Sequence, residues 1–354
     1  MPTVSVVIPT YNRADVLPRA VDSVLGQTVA DLELVVVDDG STDDTADVLA
    51  SYDDDRLRYV AHETNRGANV ARNTGIEAAE GEYVAFLDSD DEWKPTKLER
   101  QLDRLEGETD GTDDTETDGT DHADNVDETD EPDWVAAYCN FETQLDGPTA
   151  RFQSVVAGLL ARADEDRPTE GGEELVAEIL ADHLHPGAGS TLVVRTDVAR
   201  SIGGFDEDLD RFQDPDFVLG ILEEGPLAHV DEPLVVRHDT GTPAAETVAA
   251  ADRQYLAKYD DEVDRAEARG VEVRGRHRLI LAKHFLSEGA VVTGFRHLGG
   301  ATLPARHVPG VAWATTTGLR RRSGPWTALT GALVLGFLTG ALLLTGSLTR
   351  LAGR

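Results

Sequence analysis

The first hundred residues alternate between short apolar runs and segments with helical spacing. Residues 4–9 (VSVVIP), 32–37 (LELVVV) and 83–87 (YVAFL) are continuous apolar runs, as expected for strands that are buried on both faces. The segments with helical spacing between the strand-like runs are 15–25, 43–52 and 68–79, and a further short strand is predicted at 57–60. This regular alternation with short connections predicts an α/β fold with a parallel, doubly wound sheet.

Polar residues follow the apolar runs at the points where the predicted strands end. Thr10-Tyr11-Asn12, Asp38-Asp39 and Asp88-Ser89-Asp90-Asp91 each stand at such an end. Because ligands of doubly wound sheets bind beyond the carboxyl ends of the strands, these residues predict one shared crevice. Carboxylates there are typical ligands of Mg²⁺ or Mn²⁺, which complete their shell with diphosphate oxygens. Residues 88–91 (DSDD) are called the acidic turn here. From this turn alone, a solvated loop in an acidic protein is an equally good interpretation.

Four motifs resemble those of family 2 glycosyltransferases with the GT-A fold, in order and in spacing. They are VSVVIPTYNR (4–13), VVVDDGSTDDT (35–45), NRGANVARNTG (65–75) and YVAFLDSDDEWKP (83–95). The resemblance is specific over residues 4–105 and continues more loosely to about 238. It implies a Rossmann-like, mostly parallel sheet and an inverting, divalent-metal-dependent transfer of a sugar from a nucleotide-sugar.

The resemblance also implies roles for individual residues. Residues of the donor-binding site would be Pro9, Tyr11, Asp38, Asp39, Arg72, Asp88 and Ser89. Within that set, Tyr11 and Pro9 match a turn that flanks the base, and Asp39 matches an acid that binds uracil or ribose. Asp90 matches the metal-binding acid, so the implied cofactor is Mg²⁺ or Mn²⁺.

The second half of the chain, from residue 134, returns to strand and helix and offers a general base. Inverting transfer needs a group that takes the proton of the attacking hydroxyl. Residues 203–207 (GGFDE) and 212–216 (FQDPD) resemble the corresponding family segment, which makes Asp214 the candidate base. Ser190 and Asp216 match the acceptor side, and Pro215 stands where an aromatic residue is common. Capping of the following helix by Asp214 is the alternative.

Charge and cysteine content exclude other classes. The formal net charge of −35 makes a nucleic-acid partner unfavourable, and it resembles proteins of salt-loving archaea, although an acidic mesophilic protein is the alternative. Residues 106–133 are acidic and of low complexity, which predicts a disordered insertion. Cys139 is the only cysteine, which rules out an internal disulfide, and irregular spacing argues against His183, His185 and His238 as metal ligands.

An apolar segment near the C-terminus predicts membrane anchoring. Residues 326–346 carry no charge, and a helix of that length spans about 30 Å, the thickness of a hydrocarbon core. The sequence predicts a transmembrane helix at 325–347, and the arginines at 320–322 favour a cytoplasmic location for the residues before it. The N-terminus has no signal-peptide pattern. A buried core helix or a re-entrant hairpin is the alternative.

These features predict five regions and one leading function. The regions are a donor-binding half (1–105), the acidic insertion (106–133), an acceptor half (134–240), a helical connection (241–324) and the transmembrane helix (325–347). We expect a sugar to pass from a UDP-, GDP- or dTDP-linked donor to a lipid-linked acceptor, for dolichol-type or surface glycans, at the cytoplasmic face of the cell membrane. The alternative is a membrane-tethered scaffold that binds nucleotide-sugars without turnover. A nucleotidyltransferase would need a Gly-rich basic loop after the first strand, which is missing here.

Overall fold

The computed structural model describes residues 1–107, 132–144, 167–187, 189–238, 243–301, 303–304 and 307–323. Most of the predicted acidic insertion and the whole predicted transmembrane segment at 325–347 lie outside these ranges. Within them, no helix combines the length and the apolar character that a membrane crossing requires.

An eight-stranded mixed sheet forms the centre of the described structure. Its strands are β1 (Val4–Thr10), β2 (Leu32–Asp38), β3 (Leu57–Ala61), β4 (Tyr83–Phe86), β5 (Glu92–Trp93), β6 (Ala136–Gln144), β7 (Leu192–Arg195) and β8 (Leu227–His238). Their order is β3-β2-β1-β4-β7-β6-β8-β5. The first four run parallel, as predicted, whereas β7 is antiparallel to β4 and β6, and β5 is antiparallel to β8. The parallel prediction therefore holds for the first half, and the sheet as a whole is mixed.

Helices cover both faces of this sheet. They are α1 (Leu17–Leu25), α2 (Thr45–Ala50), α3 (Ala68–Ala78), α4 (Lys97–Glu106), α5 (Glu173–Leu180), α6 (Thr196–Ser201), α7 (Gln213–Glu224), α8 (Ala245–Lys258), α9 (Asp260–Ala268), α10 (Val273–Ser287), α11 (Val291–Leu298) and α12 (Val308–Ser323). Along β1, Val6 packs in one core with Leu17 and Leu98, whereas Val7 packs in a second core with Phe217. Successive side chains of a strand point to opposite faces, so this alternation confirms the doubly wound arrangement.

The helices after β8 pack on one another and on the α/β core. Helix α10 contacts α8, α11 and α12. Its buried His277 lies between α8 and α5, with Nδ1 2.5 Å from Asp252 Oδ1 and Nε2 2.8 Å from the carbonyl oxygen of Leu180. This buried bridge links the helical region to the α/β core.

Helix α3 lies so close to β1 that Gly75 has no room for a side chain. A Cβ at this position would collide with Val7 Cγ1 in the core. We expect Gly75→Ala to lower the free energy of unfolding by about 1–3 kcal/mol through overpacking, although alanine is the better helix former. Urea unfolding measures this. Gly299→Ala is the control, because the added carbon would meet its nearest neighbours at 3.6 Å; equal stability of the two variants would contradict the packing argument.

Candidate active site

A cleft of about 500 Å³ opens at the carboxyl ends of the parallel strands, where the sequence predicted it. The residues that line it are Pro9, Thr10, Tyr11, Arg13, Asp39, Asn65, Gly67, Ala68, Ala71, Arg72, Asp88, Ser89, Asp90, Asp91, Arg237 and His238. The cleft thus brings together all the residues predicted for the donor and the metal except Asp38.

Asp39 lies in the cleft wall and holds the loop before α3. Its buried carboxylate accepts hydrogen bonds from the backbone N–H groups of Arg66 (2.9 and 3.0 Å) and Gly67 (2.7 Å), and Nδ1 of His62 lies 2.7 Å from Oδ1. The loop is therefore fixed by one acid at the end of β2. A role of Asp39 in base or ribose recognition stays a prediction.

Asp38 does not line the cleft, which differs from its predicted role in donor binding. Its two carboxylate oxygens accept hydrogen bonds from the N–H of Ser41 (2.9 Å) and the hydroxyl of Tyr59 (2.8 Å). Burial, together with this carboxylate, raises the pKa of Tyr59 to about 12. The reason for the difference is strand geometry, since neighbouring residues point to opposite faces and only Asp39 faces the cleft.

Each of the three carboxylates of the acidic turn is paired with an arginine from a different part of the chain. The pairs are Asp88 with Arg72 (Oδ1–Nη2 2.6 Å), Asp90 with Arg13 (Oδ2–Nη2 3.8 Å) and Asp91 with Arg237 (Oδ2–Nε 3.7 Å). Partly buried like charges are costly unless opposite charges accompany them. Ser89 and Asp91 are buried, so the turn is not the solvated loop of the alternative interpretation.

Arg72 is a buried cation at the centre of the site. Its guanidinium lies 5.2 Å from the centre of the Phe205 ring and donates to Asn69 Oδ1 at 3.2 Å. Burial alone would lower its pKa, but the carboxylates of Asp88 and Asp214 raise it. Arg72 therefore stays charged between the acidic turn and the candidate base.

Ser190 shapes the acidic turn, and it is buried rather than open to an acceptor. Its hydroxyl donates to Asp91 Oδ2 at 2.7 Å and accepts from the N–H of Asp88 at 3.2 Å, while its carbonyl accepts from Trp93 Nε1 at 2.7 Å. Burial, with a contribution from Asp88, raises the pKa of Asp91 to about 6. The hydrogen-bonding groups of Ser190 are used within the protein, and its acceptor contact stays a prediction.

The buried Lys97 packs against Trp93, which hydrogen-bonds to Ser190 beside the acidic turn. The Nζ of Lys97 lies 4.0 Å from the Trp93 ring and donates to Gln101 Oε1 at 2.5 Å. The side-chain amide of Gln101 in turn donates to the carbonyl oxygen of Thr191 at 2.9 Å. Burial lowers the pKa of Lys97 to about 8, because the interior disfavours its charged form.

This shift predicts a distinctive pH dependence of stability. Below about pH 8 the folded protein carries a buried charge, and this penalty disappears as the pH rises towards the ordinary pKa of lysine. Relative to Lys97→Met, the wild type should gain up to about 1.4 kcal/mol of unfolding free energy per pH unit between pH 8 and 10. Urea unfolding at constant salt checks this, with Lys94→Met as control. A difference between wild type and Lys97→Met that does not change with pH would refute it.

Asp214 lies in the first turn of α7, beside the acidic turn and Arg72. The Oδ1 atom of its carboxylate is buried with no hydrogen-bond partner among the described residues, and the backbone of Gly189 lies nearby. Burial raises the pKa of Asp214, although the nearby Arg72 guanidinium opposes the shift. The N-cap of α7 is Phe212, and no described side chain caps it, so Asp214 does not act as the cap. A carboxylate with a raised pKa and an unused oxygen suits proton transfer.

Asp216 faces away from Asp214 and contacts α8, and its place on the acceptor side stays a prediction. The buried carboxylate accepts a hydrogen bond from the Tyr259 hydroxyl at 2.7 Å and lies 2.5 Å from Lys258 Nζ. Two residues along a helix turn the side chain by about 200°, which directs Asp216 towards α8. Asp216 therefore anchors the base-bearing helix to the helical region.

Two cleft residues carry unused polar atoms: Thr10, which the sequence placed at the crevice, and His238, which the sequence analysis set aside as a metal ligand and did not place in the cleft. Thr10 Oγ1 and His238 Nε2 are buried atoms that lack a hydrogen-bond partner among the described residues, and both residues line the cleft. His238 ends β8, so the same strand-end rule that singled out Asp39 and Asp88 would have found it. Within the described ranges, no three His, Cys, Asp or Glu side chains gather closely enough to form a metal site by themselves.

Comparisons with known proteins agree with this geometry. Residues 5–154 match the family described as Glycosyl transferase family 2. The chain is 52% identical over 104 residues to the Putative teichuronic acid biosynthesis glycosyltransferase TuaG of Bacillus subtilis, covering 29% of this chain and 41% of that protein. It is 41% identical over 108 residues to the Escherichia coli UDP-Glc:alpha-D-GlcNAc-diphosphoundecaprenol beta-1,3-glucosyltransferase WfaP, covering 30% of this chain and 43% of that protein. The chain therefore spans less than half the length of these relatives.

Among solved structures, S. aureus TarS 1-349 has a similar fold. The TM-score is 0.52 with 18% sequence identity, covering 92% of each chain. The same protein in complex with UDP-GlcNAc gives a TM-score of 0.50 at 17% identity, covering 90% of this chain and 81% of that one. At this level of identity the similarity concerns the fold.

Proposed function

We propose that the chain, whose residues 5–154 match Glycosyl transferase family 2, transfers a sugar from a nucleotide-sugar to a lipid-linked acceptor with inversion at the anomeric carbon. The observation that carries the proposal is the proximity of three features, although Asp214 is not itself among the residues that line the cleft. These are the donor-side cleft, the acidic turn with its arginines, and the partly buried carboxylate of Asp214.

The nucleoside would bind at the β1–β2 end of the cleft. Thr10 offers an unused hydroxyl there, Tyr11 is 44% exposed and can lie against a base, and Asp39 lies in the wall. Arg72 and Arg13 would meet the diphosphate, since each is already positioned by a carboxylate of the acidic turn. The structural relative crystallised with UDP-GlcNAc supports a nucleotide-sugar as the ligand class, and UDP, GDP and dTDP remain the candidate carriers.

The residues of the cleft fit a divalent cation. The side chain of Asp90 has only a 3.8 Å ion pair to Arg13 within the described structure, and the unpartnered Nε2 of His238 is a further donor atom in the same cleft. Mg²⁺ and Mn²⁺ are commonly held by one or two carboxylates with diphosphate oxygens in the remaining positions. When bound, such an ion stabilises the negative charge of the leaving nucleoside diphosphate.

The proton of the reaction would pass to Asp214. The acceptor hydroxyl attacks the anomeric carbon on the face opposite the diphosphate, a carbon–oxygen bond forms, and the bond to the diphosphate breaks. The hydroxyl proton moves to the carboxylate of Asp214, and a single displacement leaves the sugar inverted. Arg72 lies beside Asp88 and near Asp214. Its positive charge would stabilise the negative charge of the leaving diphosphate and the ionised form of Asp214.

A lipid-linked acceptor at the cytoplasmic face of the cell membrane completes the proposal. Its support is the diphosphoundecaprenol acceptor in the name of the E. coli relative, and the uncharged segment 326–346 of the sequence. Dolichol-type glycans or surface glycans would be the products. The net charge of −35 is the support for a salt-adapted organism as the source. A scaffold without turnover would be expected to lack the base or the metal-binding acid, and both are present.

Incubation of the enzyme and its membranes with radiolabelled UDP-, GDP- and dTDP-sugars tests this function. With Mn²⁺ or Mg²⁺ present, label from one nucleotide class should enter the lipid-extractable fraction. Label that appears only as free sugar would exclude a lipid acceptor. Turnover in none of the three classes, with nucleotide binding intact, would favour the scaffold.

A further inference from the structure

The acceptor side of the cleft needs residues other than those the sequence suggested. Ser190 and Asp216 are buried, and their side chains are engaged by Asp91 and by Tyr259 with Lys258. Among the cleft residues, Arg237 and His238 come from the end of β8 in the second half of the chain. These two residues are the described candidates for contact with an acceptor.

Arg237 is held in place by an aromatic ring. Its guanidinium carbon lies 4.9 Å from the centre of the ring of Phe141, a residue of β6 that is 37% exposed. The side chain of Arg237 is itself 41% exposed and lines the cleft. Stacking on an aromatic ring fixes the plane of a guanidinium and leaves its N–H groups directed outward in that plane.

The N–H groups of Arg237 are not saturated by the protein. Within the described residues, the guanidinium of Arg237 makes one ion pair, from Nε to Asp91 Oδ2 at 3.7 Å, and this side chain donates no hydrogen bond. The Asp91 carboxylate already accepts from the Ser190 hydroxyl at 2.7 Å and from the N–H of His238 at 3.2 Å. A guanidinium with five donors is thus positioned at the wall with capacity for an anion.

Arg237 lines the same cleft as the cations of the donor side but comes from a different part of the fold. Arg13 follows β1 and Arg72 belongs to α3, next to the nucleoside end, whereas Arg237 lies on β8 in the other half of the sheet. In a chain of net charge −35, an anionic acceptor would be repelled by most of the surface and needs a local cation. We propose that Arg237, held over Phe141, binds a phosphate group of the acceptor, next to the sugar that receives the transfer. This deepens the proposed function and rests on it.

Two kinds of acceptor share this chemistry, a sugar on a lipid diphosphate and a polymer with phosphodiesters. Saturation-transfer NMR can distinguish them with two small probes, P1,P2-dimethyl diphosphate and dimethyl phosphate. The full chain is measured with Mg²⁺ and a saturating nucleoside diphosphate, so that the donor site is filled. We expect the wild type to bind at least one probe and Arg237→Gln to weaken that binding by about tenfold or more.

The control is Arg58→Gln, since the Arg58 side chain is 46% exposed, is ion-paired with Glu80 and lies on β3 away from the cleft. It should bind the probe as the wild type does. Probe binding that is equal in Arg237→Gln and the wild type would overturn the proposal. So would a loss of nucleoside diphosphate affinity in Arg237→Gln, because Arg237 would then belong to the donor site.

Phe141→Ala gives an independent test of positioning. Removal of the ring should weaken probe binding by a smaller factor than Arg237→Gln, while Phe141→Tyr should retain it. Binding that survives Phe141→Ala unchanged would show that the ring does not orient Arg237. If no nucleoside diphosphate binds the wild type, the proposed function fails, and the comparison of Arg237→Gln with Arg58→Gln without nucleotide still decides whether Arg237 binds phosphate.

Discussion

Asp214→Asn is expected to lower kcat by about 10²–10⁴-fold while the dissociation constant of the donor nucleotide changes by less than about twofold. Asparagine retains the size of the side chain, but it cannot take the acceptor proton. The loss should therefore appear in turnover and not in donor affinity. Steady-state kinetics and calorimetry on the same preparations measure the two quantities.

The pH profile gives a second signature of Asp214. A base must be deprotonated to act, and burial raises the pKa of this carboxyl above the ordinary value. Wild-type kcat should consequently fall as the pH is lowered through that raised pKa, and the residual activity of Asp214→Asn should lack this step. Asp210→Asn, at an exposed position in the loop before α7, is the control and should behave as the wild type. Full activity of Asp214→Asn would rule out Asp214 as the base.

Asp90→Asn is expected to lower kcat/KM by about 10³-fold, since a metal ion contributes several kcal/mol to stabilising charge in the transition state. The variant should also need a higher concentration of Mn²⁺ or Mg²⁺ for half-maximal activity. Metal titrations of activity test both effects. Asp55→Asn, at an exposed position in the turn before β3, is the control at the opposite edge of the sheet. An unchanged metal dependence in Asp90→Asn would assign the ion to other residues.

The strands of the first half could be predicted because each is buried on both faces. Such strands appear in the sequence as continuous apolar runs, and β1, β2 and β4 were found in this way. Two other strands gave weaker signals. β5, still in the first half, comprises only Glu92–Trp93, and β8 in the second half contains Asp231, Glu232 and Pro233 in its middle, which interrupt the apolar pattern. The antiparallel directions of β5 and β7 follow from long-range pairing, which no local pattern encodes.

In the candidate site, too, some features could be predicted from the sequence and others could not. The strand-end rule placed Asp39, Asp88 and Asp90 in one cleft, because it depends only on topology. It could not tell that Asp38 binds Tyr59 and that Asp216 binds Lys258, since these partners come from distant parts of the chain. The side-chain direction of a polar residue is decided by such partners, so the sequence identified positions better than it identified contacts.

Binding of the donor is the most direct test of the account, because the cleft, the acidic turn and the arginines are all explained by it. Calorimetry should be run with UDP-, GDP- and dTDP-sugars, with and without Mn²⁺ or Mg²⁺, at low and high salt. We expect one nucleotide class to bind the wild type and the divalent ion to strengthen this binding. Asp90→Asn should lose the strengthening, whereas Asp214→Asn should keep it. Absence of binding by all three classes, or equal binding with and without the ion in wild type and Asp90→Asn, would contradict it.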